Sequence, residues 1–135
     1  MRIVLDTNVV VSALLVGGSV PAQVLELAIG RRCTLVVDHR IVAEYRAVLE
    51  RGEFPFSDAQ RSDFFAVVAR SEWITAEPLG LRLTDPGDRP FLETAVSGAV
   101  DALVTGNVKH FRVREGRLAI PILTPRAFLE RLGGS

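Results

Sequence analysis

The first residue that could take part in chemistry is a carboxylate, and it directly follows the first apolar segment of the chain. The segment Arg2–Leu5 is typical of a buried strand, and Asp6 comes immediately after it, followed by Thr7 and Asn8. In parallel α/β sheets, ligands bind at the carboxyl ends of strands. We therefore expect Asp6 to serve metal or phosphate chemistry, with Thr7 and Asn8 as supporting polar groups.

A second acid, Glu44, lies on a predicted helix beside Val48, at the edge of the apolar stripe of that helix. Glutamate is rarely fully buried unless it is paired or bound to a metal. A surface ion pair with Arg40, one turn earlier, is the alternative interpretation. That pair would run from basic to acidic, which is the weaker order on a helix. We therefore favour a role for Glu44 in the same site as Asp6.

Two more acids, Asp85 and Asp88, flank a turn made by Pro86 and Gly87. Asp88 falls where a helix N-cap belongs, and capping alone would explain an aspartate there. It shares a helical face with Leu92, however, so we expect it to point toward the sheet. Two acids in one tight loop also repel each other unless a cation or a proton relieves them. These features favour Asp88 as a third site acid, supported by Asp85.

The short apolar segment Ala102–Val104 is again followed by small polar residues, here Thr105 and Asn107. Both offer neutral oxygens and donors but no negative charge, and an ordinary turn after a strand explains them equally well. Asp101 precedes this strand, at the wrong end for the site, and is interpreted as a turn residue.

If the strand ends lie side by side, Asp6, Glu44 and Asp88 converge. Three carboxylates in one pocket are hard to keep ionised without a cation, and carboxylate oxygens favour the hard ions Mg²⁺ and Mn²⁺. Such a site can activate water and stabilise charge on a phosphoryl group. The two histidines lack zinc-ligand spacing with each other or with the lone cysteine, which argues against zinc.

Strand-like and helix-like segments alternate along the chain, which predicts an α/β fold with a parallel sheet and helices on both faces. We predict five strands, at Arg2–Leu5, Thr34–Val37, Trp73–Thr75, Ala102–Val104 and Ile120–Leu123. We predict six helices, at Asn8–Leu15, Pro21–Arg31, His39–Arg51, Ser57–Arg70, Asp88–Ala99 and Thr124–Leu132.

The composition is that of an ordinary globular protein, with 48% hydrophobic and 24% charged residues in a chain of 135. We expect one domain over residues 1–135. The net charge of zero shows no sign of a strongly basic nucleic-acid binder, although local patches matter more than the total. The single cysteine, Cys33, cannot form an intrachain disulfide and is expected in the core. Without a signal-peptide pattern or an apolar stretch of roughly 20 residues, we expect a cytoplasmic protein with no membrane partner.

Four motifs, in this order, resemble those of the PIN domain family over nearly the whole chain, from Arg2 to about Leu132. They are Asp6-Thr-Asn8 after the first strand, Glu44 on a helix, Asp85-Pro-Gly-Asp88-Arg-Pro-Phe91 and Leu103-Val-Thr-Gly-Asn107-Val-Lys-His-Phe111. The chain looks most similar to the stand-alone VapC-like members, which are toxins of toxin–antitoxin pairs.

The resemblance implies a three-layer α/β/α sandwich around a parallel sheet of about five strands, and RNA cleavage that depends on Mg²⁺ or Mn²⁺. It implies that Asp6, Glu44 and Asp88 are the catalytic and metal-binding acids. Asn107 falls where many members carry a fourth acid. Its neutral side chain should weaken binding of a second metal, while a first ion held by Asp6 and Asp88 could survive.

The resemblance also implies RNA as substrate, a cognate antitoxin as partner and a homodimer. Candidate contact surfaces are the helix Pro21–Arg31 and the phenylalanine-rich region from Phe54 to Phe65, although core packing also explains most of these side chains. A basic segment after the fourth motif could follow the phosphate backbone, and a solvated basic loop explains it equally well. Its members are Lys109, Arg112, Arg114 and Arg117.

Two other classes of function compete with a nuclease. A phosphoryl-transfer enzyme of the haloacid dehalogenase type would need a second aspartate where Asn8 stands, and a receiver-like phosphoacceptor would follow a middle strand. A non-catalytic PIN-like module that binds RNA or a partner protein is the other alternative, suggested by Asn107 and the zero net charge.

Overall fold

The computed structural model describes residues 1–80, 83, 85–111 and 119–133. Its sheet has five parallel strands in the order β3-β2-β1-β4-β5. The strands are β1 (Arg2–Leu5), β2 (Thr34–Val37), β3 (Glu72–Trp73), β4 (Ala102–Val104) and β5 (Ile122–Leu123).

Helices precede, separate and follow most of these strands. They are α1 (Thr7–Leu15), α2 (Val20–Ile29), α3 (His39–Leu49), α4 (Asp58–Ala69), α5 (Arg89–Ser97) and α6 (Pro125–Gly133), with short 3-10 turns at Pro86–Asp88 and Val108–Phe111. The α/β sandwich around a parallel sheet of five strands, predicted from the sequence, is confirmed.

The central strands are covered on both faces. Every residue of Ile3–Leu5 and of Ala102–Val104 is at most 1% exposed. Because successive side chains of a strand point to opposite faces, burial of all of them requires packing above and below the sheet. Helix α5 packs against β1, β2 and β4, while α6 packs against β4 and β5.

The order of the strands creates a crevice between β1 and β4. Chain connections lead from β1 to β2 on one side and from β4 to β5 on the other, so the connections diverge at the carboxyl ends of the two central strands. Ligands of open α/β sheets bind at such switch points. The register pairs Leu5 with Val104, and the backbone N–H of Asp6 donates to the Val104 carbonyl at 2.9 Å. Residues immediately after these two strands therefore face the same crevice.

Several element ends differ from the predicted ones for local reasons. Helix α2 ends earlier because Gly30 and Arg31 close it, with Arg31 in the left-handed region at φ 61° and the Arg32 N–H donating to the Leu27 carbonyl at 2.8 Å. Strand β5 begins two residues later than predicted, at Ile122. Helix α5 begins after a 3-10 turn that contains Asp88, rather than at Asp88 itself.

A buried tyrosine attaches α3 to the end of β1. The Tyr45 hydroxyl donates a hydrogen bond to the Leu5 carbonyl, and the side chain is fully buried. Its ring packs edge-on against Phe64, at 5.4 Å between centroids. It also packs against Phe91 in a tilted arrangement, at 6.3 Å between centroids. Since Glu44 is the preceding residue, this contact sets where Glu44 lies relative to Asp6.

The phenylalanine-rich region that was considered as a contact surface mostly belongs to the core. Phe56 and Phe64 are buried, and Phe54 and Phe65 are partly buried against the same cluster. Cys33 is also buried, as expected. In the described residues, no single helix is long and apolar enough to span a membrane; only α1 with α2, bent by 101°, meets that length and composition together.

Replacing Tyr45 with phenylalanine should destabilise the fold by about 1–2 kcal/mol, because the change removes a donor from a buried carbonyl and keeps the ring. Urea unfolding would measure this free energy. Ser71→Ala is a matched control, since the Ser71 hydroxyl also donates to a backbone carbonyl, that of Val67 at 2.8 Å, but in a less buried position. Equal stability of Tyr45→Phe and wild type would contradict the proposed attachment of α3.

Candidate active site

Asp6 lies at the carboxyl end of β1 and is held there by a neighbour from β4. It is 7% exposed, and the hydroxyl of Thr105, which follows β4, donates to its Oδ2 at 2.7 Å. The same hydroxyl oxygen accepts the N–H of Asn107 at 3.0 Å. Because a threonine hydroxyl has one proton, this second bond directs that proton to Asp6. The carboxylate is thus kept in one orientation at the crevice.

A second hydrogen bond joins the segments that follow β1 and β4. The Gly106 N–H donates to Asn8 Oδ1 at 3.1 Å, which joins the first turn of α1 to the segment after β4. A Cβ at Gly106 would lie 3.4 Å from the Asn8 amide nitrogen. That is an ordinary van der Waals distance, so the hydrogen bond to Asn8, and not a lack of space, distinguishes this position.

Glu44 reaches the crevice from α3. The Thr7 hydroxyl donates to Glu44 Oε2, and the glutamate is half-buried. The alternative surface pair with Arg40 is wrong, because Arg40 pairs with Asp38 and Glu93 instead, each at 2.8 Å. The structure therefore places Glu44 beside the residue that follows Asp6.

Asp88 was considered as a helix cap, and the structure shows that its side chain makes no capping hydrogen bond. Asp85 performs that role for the 3-10 turn, since its Oδ1 accepts the Gly87 N–H at 2.8 Å. In the described part of the chain, Asp88 Oδ2 is buried and has no hydrogen-bond partner of acceptable geometry, although His110 Nδ1 lies 3.2 Å away. A buried carboxylate oxygen that, within the described residues, faces no donor except this imidazole can accept a further ligand.

The three acids share one electrostatic environment. Burial is the largest cause that raises the pKa of Asp6, and the charge of Asp88 raises it further, while the Thr105 hydrogen bond lowers it. Burial likewise raises the pKa of Glu44, to which the charges of Asp6 and Asp85 add. For Asp88, burial and then Asp85 raise the pKa, and His110 lowers it. Each carboxylate is therefore harder to ionise than usual, partly because the others are charged.

These oxygens fit a hard divalent cation, with one restriction on how it could bind. Among the described residues, no three His, Cys, Asp or Glu side chains lie close enough to hold one ion together. Mg²⁺ commonly binds through one or two carboxylates and keeps several waters. The buried Asp88 oxygen and the mutual repulsion of the acids suit that mode of binding.

The other site residues predicted from the sequence are either exposed or outside the described residues. Asn107 and Lys109 are exposed just after β4, and Asp85 is exposed in its turn. Arg112, Arg114 and Arg117 lie outside the described residues, so their predicted contact with RNA stays a prediction.

Sequence reasoning missed two contributors to this edge of the sheet. His110 was considered only as a zinc ligand, although it lies beside Asp88. Asp38 was not singled out, although it follows β2 just as Asp6 follows β1 and is 1% exposed. That repeated pattern, an acid directly after a buried strand, was a signal available in the sequence.

The sequence pattern of the PIN domain matches residues 2–109. The chain belongs to the PIN domain family. This PIN domain is similar in fold to a solved structure described as VapBC2 from Rickettsia felis bound to a DNA fragment from their promoter. The TM-score is 0.61 at 20% sequence identity, and the match covers 90% of this chain and 97% of the other. No curated protein matches the sequence significantly. The predicted family is thus confirmed.

Neutralising one acid of this PIN domain should stabilise it at neutral pH. Folding raises the pKa of Asp88 above the ordinary value of 3.8, so the folded state holds the proton more tightly and stability falls as pH rises through that range. We expect Asp88→Asn to add about 0.5–2 kcal/mol to the free energy of unfolding near pH 7. The gain should shrink toward about pH 3, below the ordinary value of 3.8, where the carboxylate is largely protonated in both states.

Urea unfolding at the two pH values would measure both gains. Asp63→Asn, an exposed acid on α4, is the matched control and should change stability little at either pH. A destabilised Asp88→Asn at neutral pH would contradict the repulsion between the acids.

Proposed function

We propose that this PIN domain is a ribonuclease that hydrolyses RNA phosphodiesters with Mg²⁺ or Mn²⁺. The observation that carries the proposal is the buried Oδ2 of Asp88, which in the described residues has no nearby donor other than the His110 ring at 3.2 Å. It lies in a crevice where burial also raises the pKa of Asp6 and of Glu44. Uncompensated carboxylates cost stability, and this site concentrates them where α/β sheets bind ligands. A divalent cation would compensate them.

Asp6 and Asp88 would hold the cation, directly or through water, and Glu44 would act as a further ligand or orient a water. When bound, the cation would supply Lewis acidity at the phosphoryl group and lower the pKa of water. Thr105 holds Asp6 in one orientation, and Thr7 does the same for Glu44. These hydrogen bonds preorganise the acids, which is what hydroxyl groups around metal ligands do in other sites.

Binding of RNA would depend on cations near this crevice, because the acids by themselves repel phosphates. Lys109 is exposed in the 3-10 turn that follows Asn107. Its ammonium group would attract the backbone and make binding sensitive to salt.

We further propose that the protein is the toxin of a toxin–antitoxin pair, acts in the cytoplasm and forms a homodimer. The similar Rickettsia felis structure is a VapBC2 complex. Leu15 and Val16, adjacent at the end of α1, are 46% and 60% exposed, and Ile29 at the end of α2 is 51% exposed. Exposed apolar side chains of this size suit a protein partner. A small DNA-binding protein encoded by the neighbouring gene would support this role.

A binding module without catalysis is the second candidate, and Asn107 favours it. This exposed amide stands after β4, where a fourth carboxylate would strengthen the hold on cations. Cation binding without cleavage would identify such a module.

Cleavage of single-stranded RNA tests the nuclease proposal. We expect wild type to cleave in Mn²⁺ and to stop in EDTA, and Asp6→Asn and Asp88→Asn to lose about 100-fold or more in rate, because each removes a charge that holds the cation. Asp63→Asn is the matched control and should cleave like wild type. Cleavage that persists in EDTA and in both site variants would overturn the proposal and indicate a contaminating nuclease.

Adding the missing carboxylate should strengthen cation binding. We expect Asn107→Asp to bind Mn²⁺ about tenfold more tightly than wild type, because it adds a negative charge near the acids. Isothermal titration calorimetry would measure the affinity, with Asn107→Ser as a neutral control. Equal affinities of Asn107→Asp and wild type would show that residue 107 does not face the cation.

A further inference from the structure

An ion-pair network of two buried carboxylates and the partly exposed Arg40 lies at the same edge of the sheet as the three acids but is distinct from them. The Arg40 guanidinium donates from Nε and Nη2 to Asp38 Oδ2, at 3.0 and 2.8 Å, and from Nη1 to Glu93 Oε1 at 2.8 Å. Asp38 and Glu93 are 1% and 3% exposed. Unlike Asp6, which accepts from the Thr105 hydroxyl, and Asp88, which lies beside the His110 ring, these two buried carboxylates both bond to a guanidinium.

The network joins elements that are far apart in sequence. Asp38 follows β2 and caps α3, since its Oδ1 accepts the N–H groups of Arg40 and Ile41 at 3.0 Å each. Arg40 lies in the first turn of α3, and Glu93 lies on α5. Strand β2 and the two helices are therefore connected through one guanidinium.

The same network holds the segment that leads toward the Asp85 turn. The second oxygen of Glu93 accepts the Leu79 N–H at 3.0 Å. One turn later on α5, the Ser97 hydroxyl accepts the Glu77 N–H at 2.8 Å. Helix α5 thus carries both the partner of Arg40 and the attachment points of the preceding segment.

The two helices that Arg40 connects are the ones that present site acids. Glu44 lies one turn after Arg40 on α3, and Asp88 lies directly before α5, five residues before Glu93. We propose that Arg40, held by Asp38 and Glu93, is a positioning residue that sets the separation of Glu44 and Asp88 for divalent-cation binding. This inference rests on the proposed metal-dependent function and names a residue that acts through the acids.

The charge of Arg40 is less suited to direct binding of phosphate than to the positioning role. Two buried carboxylates face one guanidinium, so the network has a net charge of about −1, and three of the donor directions of the guanidinium are already occupied. A simple contribution to stability is also a weak explanation, because desolvation offsets most of what a buried ion pair contributes. What the planar guanidinium supplies is a fixed geometry between two carboxylates, which a lysine ammonium cannot reproduce.

The test is the conservative variant Arg40→Lys, which keeps the positive charge and loses the planar set of N–H donors that bonds two carboxylates at once. We expect its Mn²⁺ affinity, measured by titration calorimetry, to fall about tenfold or more. We also expect kcat for RNA cleavage to fall while KM for RNA changes little. Arg46→Lys is the matched control, since Arg46 lies on the same helix in an exposed pair with Glu50 at 3.6 Å, and it should behave as wild type in both measurements.

Thermal unfolding and a second variant separate positioning from folding. Glu93→Gln retains an oxygen for the Leu79 N–H and removes one of the two negative charges that pair with Arg40. It should therefore also weaken Mn²⁺ binding. This variant replaces Arg40→Lys if Arg40→Lys does not fold. Reduced stability with wild-type Mn²⁺ affinity in the folded variants would make the network purely structural and overturn the inference.

The outcomes also separate this inference from the proposed nuclease. If wild type binds Mn²⁺ but does not cleave RNA, and Arg40→Lys weakens that binding, the positioning role stands while the nuclease proposal fails. If wild type cleaves RNA and Arg40→Lys does so with the same kcat and Mn²⁺ affinity, only the positioning role fails. If wild type binds no Mn²⁺, both fail.

Discussion

The pairing of β1 with β4 is the contact on which the candidate site depends. Its register sets Leu5 against Val104, so Asp6 and Thr105 leave the sheet side by side, and the Thr105 hydroxyl can hold the Asp6 carboxylate. A slip of one residue in either strand would turn the side chains of that strand to the other face of the sheet and separate Asp6 from Thr105. Full burial of the two strands makes such a slip costly, because their apolar residues would then lose their packing on both faces.

Around this pair, the edge of the sheet contains buried acids of two kinds. Asp38 and Glu93 share one cation, Arg40, while the acids in the crevice raise the pKa values of one another. The first kind fixes the surrounding helices, and the second leaves a negative charge that a cation could neutralise. Glu44 and Asp88 lie on or directly before α3 and α5, as Asp38 and Glu93 do, so the acids bonded to Arg40 can hold these two in place. With Asp38 and Glu93 bonded to Arg40, the fold can present the crevice acids without such a cation. Their repulsion lowers stability, and the core must offset that cost.

Much of the architecture was predictable from the sequence for a local reason. Short apolar runs alternate with amphipathic segments, and each run is long enough to mark a strand, so the α/β class and all five strands were found. The ends of elements were less predictable. Helix α5 begins after a 3-10 turn because Asp85, rather than Asp88, caps the backbone, and that choice depends on where the Asp88 side chain finds space in the folded protein.

For the site, the sequence alone determined which acids were available and that two strand ends carried small polar residues. It also determined the family, since the order of the motifs is a property of the chain itself. Only the tertiary structure decided the partners: Arg40 with Glu93 rather than with Glu44, and His110 beside Asp88. The physical reason is that strand and helix patterns arise between near neighbours in the chain, whereas a buried charge chooses its partner among groups that only the packed fold brings together.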